Sequence, residues 1–325
     1  MSHEINSIAY VGEKPWHGLG NILPKDQPIE VWAKAAGMEW HIQQAPLEFK
    51  AGREKDAPFV TYEGQQVLYR SDTLKPLSVV SKDYHLVQPK AVLEFFRGLV
   101  ETQGYELETA GCLRGGRRFW ALARMREVMH LPGDDSVEGY LLLATSCDGT
   151  LATSVIPTSI RVVCQNTLHA TLENIGIRIP HSRAFDAEYV KSNLGMAKAQ
   201  WESYVDLMTK ASRTKITKQE AIRFFQLALH GEASDGPQET VKLKRKRALE
   251  AVQRLYDGAG KGAALASSKN TVWGALNALT QFSDHERKTR TEDTRLSSAW
   301  FGAGARLKQN ALEFSMFMVD QTAAV

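Results

Sequence analysis

The stretch from Gly139 to Leu168 constrains the fold of this chain more than any other part of the sequence. Two runs rich in apolar and β-branched residues meet at Cys147-Asp148-Gly149-Thr150, and an Asp-Gly pair between such runs is a strong hairpin signal. Beyond Pro157 the apolar residues recur at helical spacing, namely Ile160, Val163, Cys164, Thr167 and Leu168. The stretch therefore predicts a pair of strands followed by a helix.

The rest of the chain extends this pattern on both sides. Helices are expected over 29–37 and 88–101, and strands over 38–50, 67–70, 77–81, 105–112 and 119–125. From about residue 188 the pattern is helical, with candidates over 189–210, 218–230, 239–256, 271–285 and 300–319. Because strands and helices do not alternate regularly, the sequence predicts an α+β fold and not a doubly wound one.

This α+β fold is an antiparallel β-sheet with one inserted and one following helix, then a mainly α-helical C-terminal half. We expect two domains, an antiparallel-sheet domain over 1–187 and a helical region over 188–325.

Composition narrows the class of protein. No run reaches the roughly 20 apolar residues of a membrane span, and the first residues lack the pattern of a secretory signal. The three cysteines are far apart and odd in number, which favours a reducing, cytoplasmic setting over a disulfide framework or a zinc ribbon. No metal-binding spacing occurs, and the glycines of Asp257–Gly262 depart from a phosphate-binding loop, so no cofactor is predicted.

Charge is distributed unevenly along the chain. Residues 191–325 carry 21 Lys and Arg against 14 Asp and Glu, a net of +7, whereas the first 190 carry 19 against 23, a net of −4; the two give the total of +3. A basic C-terminal half favours a polyanionic partner such as nucleic acid, although many helical domains carry a similar excess.

Several segments together resemble one known family. They are PWHGLG at 15–20, YRSDTLKPLSVVSKDYHLVQP at 69–89, the turn at 111–120, SCDGTLATS at 146–154, SIRVVCQNTL at 159–168 and the C-terminal AWFGAGARLKQNALEF. The chain is similar over nearly its whole length to the phage/plasmid-like protein family, which carries a domain of unknown function. The resemblance implies a phage, prophage or plasmid setting and implies no particular chemistry.

The best binding candidate is the glycine turn that contains Arg114, Arg117 and Arg118 and is followed by Trp120. Three guanidinium groups can meet phosphates, and an aromatic ring beside them can stack on a base. The alternative is a solvated turn in which Phe119 or Trp120 is a core residue, since alternation places the two aromatics on opposite faces.

A second basic cluster begins a predicted helix and consists of Lys242, Lys244, Arg245, Lys246 and Arg247. Helical spacing places Lys242, Arg245 and Lys246 on one strip, which can follow a phosphate backbone or be a solvated face. Arg161 joins the candidates for nucleic-acid binding, with Gln165 and Asn166 beside it, although pairing of Arg161 with an acid is the alternative. A looser cluster, Lys210, Arg213, Lys215 and Lys218, has a weaker claim.

The sequence leaves three functions open. The first is binding of nucleic acid, with single-stranded DNA favoured, by a homo-oligomer that helps complementary strands to anneal; the predicted sheet and helix are similar, as a fold only, to the annealing proteins of phages. The second is an enzyme acting on nucleotides through Arg161, Gln165, Asn166, His17 and His85, and the third is an interaction protein that targets a host factor. No catalytic motif is recognisable, which favours the first and a protein that is not an enzyme.

Overall fold

The computed structural model describes residues 7–12, 20–161, 163, 166–169, 176–230, 238–289 and 292–323, and it has the α+β architecture that the sequence predicts. The strands of this region are β1 (Ser7–Val11), β2 (Asn21–Leu23), β3 (Ile42–Lys50), β4 (Phe59–Arg70), β5 (Pro76–Ser81), β6 (Glu106–Leu113), β7 (Arg118–Leu131), β8 (Asp135–Ser146), β9 (Thr153–Arg161), β10 (Asn166–His169) and β11 (Ile177–Ile179). The α-helices are α1 (Ile29–Ala35), α2 (Pro89–Gln103), α3 (Ala187–Ser192), α4 (Leu194–Arg213), α5 (Lys218–His230), α6 (Gln238–Arg254), α7 (Val272–Gln281), α8 (Glu292–Phe301) and α9 (Ala303–Ala323).

The chain divides into two compact units. As far as the residues are described, the first unit lies in Met1–Arg124, Leu141–Val155 and Gly176–Asn193. The second lies in Met125–Tyr140, Ile156–Ile175 and Leu194–Val325. The second unit therefore combines the C-terminal helices with segments from the middle of the chain.

The larger sheet is mainly antiparallel. Its strand order is β10-β9-β8-β7-β6-β1-β2, with β11 also paired to β9. β1 is antiparallel to β6 and parallel to β2, so the sheet is mixed at that edge. In the first unit α2 packs on β6, and its stripe Val92, Phe95, Phe96 and Leu99 is fully buried, as its helical spacing predicts.

The segment after Pro157 corrects the prediction of a helix. β9 continues through Pro157 to Arg161, and β10 pairs with it antiparallel from Asn166↔Arg161 to His169↔Thr158. β11 pairs with β9 only from Thr153 to Val155. On this side of β9 Pro157 therefore lies between the two pairings, so its missing N–H interrupts neither of them.

β3, β4 and β5 form a separate three-stranded antiparallel sheet in the first unit. All of β3 except Leu47 pairs with β4, and the register shifts between Pro46↔Gln66 and Glu48↔Thr61, where residues 62–65 of β4 stand opposite Leu47 alone. β5 pairs with β4 only between Gln65 and Tyr69, so the start of β4 extends past its neighbour.

The second unit is built around α7, whose ten residues are all buried. Thr271 caps this helix by accepting a hydrogen bond from Gly274 N–H at 3.0 Å. A Cβ on Gly274 would lie 1.9 Å from the Ser268 carbonyl oxygen, so glycine permits this close approach.

Among the described residues, no helix is both long enough and apolar enough to cross a lipid bilayer.

Candidate functional site

The arginine turn between β6 and β7 has a strained backbone. Arg114, Gly115 and Gly116 have φ values of 55°, 68° and 92° in succession. A Cβ on Gly116 would lie 2.8 Å from the Trp40 ring and 3.0 Å from the Arg70 guanidinium, so only glycine fits there. The side chains of Arg114 and Arg117 are exposed, and both remain available for an anion.

Trp40 and Arg70 stack on each other and pack against Gly116 of this turn. The Arg70 guanidinium lies 4.0 Å from the centre of the Trp40 ring and forms an ion pair with Asp72 at 2.7 Å. The hydrogen bond from Arg70 holds the pKa of the Asp72 carboxyl below its usual value. The charge of Arg70 is thus compensated within the first unit, and Arg114 and Arg117 are the cations that the turn presents outward.

Arg118 and Trp120 are buried, which removes them from the proposed surface. Arg118 is 4% exposed, and its Nη2 donates to Thr150 Oγ1 at 3.0 Å. Burial, together with the nearby charge of Arg114, lowers the pKa of Arg118 to about 10. Trp120 and Phe119 are both fully buried, because both faces of β7 are covered here, so Trp120 offers no stacking face.

The Asp-Gly hairpin at 147–150 lies beside the arginine turn in the first unit. Cys147 N donates to the Arg117 carbonyl oxygen at 2.9 Å, which joins this hairpin to the arginine turn. Asp148 accepts from the backbone N–H and hydroxyl of Thr150 at 3.0 and 2.6 Å. Burial raises the pKa of the Cys147 thiol to about 12, which makes it unreactive, whereas Cys164 lies outside the described residues.

The second basic cluster lies on α6 in the second unit. The helix carries six basic residues against two acidic ones. Lys244, Lys246 and Arg247 are exposed and Arg245 is half-buried, so the outward strip differs from the predicted one. The Lys242 side chain lies outside what the structure describes. A single exposed ion pair, Lys246 with Glu250 at 4.0 Å, is found along these three exposed cations within the described residues.

The looser basic cluster is more strongly neutralised. Lys210 forms an ion pair with Asp206 at 2.6 Å, and Lys218 with Asp257 at 2.7 Å. Lys215 Nζ donates to the Lys269 carbonyl oxygen at 3.0 Å. These contacts make the cluster a weaker candidate than α6 and a useful control for it.

Arg161 is 2% exposed and is fully engaged inside the second unit. Its Nε and Nη2 donate to Asp135 at 2.8 and 2.7 Å, and Nη2 also donates to Ser268 Oγ at 2.7 Å. Asp135 further accepts from the Ser267 hydroxyl and the Trp273 indole N–H. The alternative in which Arg161 pairs with an acid is the one observed, and Arg161 has no surface for a nucleic-acid strand.

A second buried ion pair lies in the same unit. Lys308 Nζ donates to Asp284 at 2.7 Å and to the Thr167 carbonyl oxygen at 2.6 Å, and Asp284 accepts from Thr167 N–H at 2.8 Å. Burial lowers the pKa of Lys308. Ser159 shares a hydrogen bond with the Tyr204 hydroxyl at 2.9 Å. The polar residues of SIRVVCQNTL that are described therefore anchor α4, α7 and α9 to the β9–β10 hairpin.

Sequence reasoning missed these acidic and basic partners. Asp135 is indistinguishable from a turn residue beside Asp134, and no acidic residue lies within four positions of Lys308 to mark its partner. One signal in the sequence could have indicated the Thr167–Lys308 contact. Both SIRVVCQNTL and AWFGAGARLKQ are among the family-like segments, and each contributes one of the two residues.

The residues of the enzyme alternative are not brought together among the described residues. Arg161 is buried, the side chain of Asn166 is not described, and His17 and Gln165 lie outside the described residues. His85 is exposed, and its backbone N–H donates to the His181 carbonyl oxygen at 2.7 Å. No group of three His, Cys, Asp or Glu side chains in the described part of the chain is arranged to hold a metal ion.

The first unit also contains an open cleft of about 520 Å³. It is lined by the basic side chains of Lys25 and Arg97, the acidic side chains of Asp26 and Glu101, and the ring of Trp32. Arg97 is already paired with Glu30 and Glu94 at 2.6 and 2.7 Å. Among the described residues that line the cleft, no buried side chain without a hydrogen-bond partner is found that would mark a substrate position.

Comparison with known proteins identifies the family of this chain. A family model described as a domain of unknown function (DUF932) matches residues 76–300, which is more than two thirds of the chain. No curated protein and no solved structure matches significantly. The matched range includes the arginine turn, the Asp-Gly hairpin, the buried Arg161–Asp135 pair and α6. The chain is thus a member of the DUF932 family.

Proposed function

We propose that this DUF932 protein binds nucleic acid, single-stranded DNA in particular, and promotes the annealing of complementary strands for a phage or plasmid. It acts in the cytoplasm as a homo-oligomer. The observation that carries the proposal is the exposed basic strip of α6, with Lys244, Lys246 and Arg247 and one weak ion pair beside it. Exposed cations without strong acidic partners are the groups that release counterions when they contact phosphates.

Arg114 and Arg117 provide a second contact surface, on the first unit. The positive φ values of their turn allow the backbone to approach a phosphate closely, and both guanidinium groups are exposed. Contacts of this kind fix the phosphate backbone and leave the base edges free, as annealing requires. Burial of Trp120 and Arg161 leaves electrostatic contact, without stacking on Trp120, as the supported mode of binding.

The test is titration of a fluorescently labelled oligonucleotide, single- or double-stranded, at several salt concentrations. We expect tighter binding to the single strand and an affinity that falls steeply with salt. In a K244Q/K246Q/R247Q variant the slope of log affinity against log salt becomes shallower by about 2, since each lost phosphate contact on a single strand is worth about 0.7.

The matched control is K210Q/K215Q/K218Q, which removes the same charge from lysines that already have protein partners. Its slope stays close to that of the unaltered protein. Equal losses in the two variants would mean that only net charge matters, and absence of binding at low salt would refute the proposal. Strand annealing, followed by quenching of two labelled complementary oligonucleotides, then falls in parallel with binding.

The arginine turn is tested in the same assay with R114G/R117Q. Glycine at position 114 suits the positive φ, so the backbone of the turn is retained while two charges are lost. We expect binding to weaken similarly for every oligonucleotide sequence, because phosphate contacts carry no sequence information. The control K75Q/K82Q removes two exposed charges elsewhere in the first unit and leaves binding nearly unchanged.

A further inference from the structure

The start of β4 has an open edge. β3 pairs with it on one side, with Glu48↔Thr61, Phe49↔Val60 and Lys50↔Phe59. On the other side β5 reaches only to Gln65, and Lys82 N–H donates to the Gly64 carbonyl oxygen at 3.0 Å. Among the described residues, the segment 59–63 therefore has no second strand beside it. Such an edge presents main-chain hydrogen-bonding groups to any strand that can align with it.

The same segment exposes large apolar side chains. Phe59 is 69% exposed, Tyr62 51%, Phe49 50% and Val60 41%. Strand alternation and the pairing of Phe49 with Val60 place Phe49, Val60 and Tyr62 on one face, and Phe59, Thr61 and Lys50 on the other. An exposed apolar face beside an unpaired edge is a typical site of strand addition.

The charge of this hairpin argues against a polyanion as its ligand. From Glu48 to Glu63 it carries three basic and four acidic residues, which are interleaved: Glu48, Lys50, Arg53, Glu54, Lys55, Asp56 and Glu63. A segment of nearly zero net charge neither attracts a nucleic acid nor repels another copy of itself. The composition therefore suits a self-complementary protein contact.

We propose that two copies of this chain join edge to edge through residues 59–63, as antiparallel strands related by a twofold axis at Thr61. In this register Thr61 faces Thr61 of the second copy. Val60 faces Tyr62 of the second copy on the apolar face, and the reverse pair forms by symmetry. Threonine pairs and pairs of an aromatic with a β-branched residue are both favourable across strands.

Charge complementarity supports this register. Phe59 faces Glu63 of the second copy, and Lys50 lies on the other side of Phe59 in the same row. Each Glu63 thus shares a face with a Lys50 from the other copy, whose Nζ donates to the Lys55 carbonyl oxygen at 2.7 Å in the single chain and would turn toward Glu63 in the dimer. The result is a four-stranded sheet with the order β3-β4-β4-β3, in which both open edges are closed.

This interface specifies the self-association part of the proposed function and does not depend on nucleic-acid binding. Oligonucleotide titration and measurement of oligomeric state are separate experiments, so failure of one is distinguishable from failure of the other.

The experiment measures the molar mass of the full chain by sedimentation and light scattering, for the unaltered protein and for T61K and T61E. We expect the unaltered protein to be a dimer at micromolar concentrations. Each variant places like charges directly opposite each other and weakens the dimer roughly tenfold or more. An equal mixture of T61K and T61E restores dimers, because unlike charges then meet at the axis.

The control V79K changes a half-exposed valine of β5 in the same sheet and leaves the dimer intact. Circular dichroism confirms that each variant is folded, as expected for exposed positions. A monomeric unaltered protein, or dimers of T61K and T61E as strong as those of the unaltered protein, would overturn the proposal. Failure of the mixture to dimerise would overturn the twofold register at Thr61.

Discussion

Two arginines, each near a strand end in a family-like segment, have opposite environments. Arg161, in the second unit, is buried, and the Nε and Nη2 atoms of its guanidinium donate to the two carboxylate oxygens of Asp135. Arg114, in the first unit, stands on a positive-φ turn with its side chain exposed. The difference comes from a partner distant in sequence, 26 residues away for Arg161. Local motif and charge therefore do not reveal whether an arginine stabilises the fold or contacts a ligand.

The largest expected effect comes from breaking the buried pair. Asp135→Ala leaves the Arg161 guanidinium buried without its carboxylate, which we expect to cost about 3–5 kcal/mol in the free energy of unfolding. Denaturant unfolding followed by circular dichroism measures this loss. A small effect would show that Arg161 can reach solvent, and the contrast with Arg114 would then disappear.

The matched control is D135A/R161M, in which both charges are removed together. Because no buried charge is left unpaired, the double variant should be more stable than Asp135→Ala alone. A double variant that is less stable than the single one would mean that Arg161 stabilises the unit through Ser268 and Gly262 instead of Asp135.

The pair also gives stability a pH dependence. Burial alone would raise the pKa of Asp135, but the hydrogen bond and charge of Arg161 outweigh it and hold the pKa below its usual value. The folded-state pKa is thus lower than the unfolded one, so this stabilisation is complete above the unfolded pKa of about 4 and is lost as the pH falls through the folded-state pKa.

The measurement compares the unfolding free energy of the unaltered protein with that of Asp135→Asn across this range. The difference between them should be constant from neutral pH to about pH 5 and should narrow below about pH 4. A difference that widens on acidification would contradict the direction of the shift.

These contrasts show how much of the molecule can be predicted from its sequence. α5 was predicted with the bounds that the structure shows, 218–230, because its apolar stripe and its ends are local signals. The sequence predicts the 159–168 segment wrongly, because its apolar spacing fits a helix, whereas the structure folds it into a hairpin of β9 and β10 whose Thr167 is held by Asp284 and Lys308, far along the chain. The carboxylate that pairs with Arg161 and the residues that bury both faces of β7 likewise come from elsewhere in the chain.

An intermediate effect is expected at the arginine turn itself. Gly116→Ala would bring a methyl group to 2.8 Å from the Trp40 ring at a φ of 92°, so ring and backbone must both shift. We expect a loss of about 2–3 kcal/mol from strain and clash combined. Gly115→Ala is the control: its φ is also positive, at 68°, but nothing lies within 4 Å of the added methyl group. That variant should lose only about 1 kcal/mol, and equal losses would show that Trp40 does not support the turn.

The smallest effect on stability is expected at Arg114, although its effect on binding is not small. Arg114→Gly removes an exposed charge and relieves a positive φ, so the unfolding free energy should change by less than about 0.5 kcal/mol or rise slightly. The same variant should weaken oligonucleotide binding and make its salt dependence shallower, because a phosphate contact is lost. Arg161→Met should show the reverse, with a large loss of stability and, at temperatures where it is folded, little change in binding. If Arg114→Gly lowers stability and leaves binding intact, then the exposed arginine has a structural role, and the phosphate contact must be sought on α6 alone.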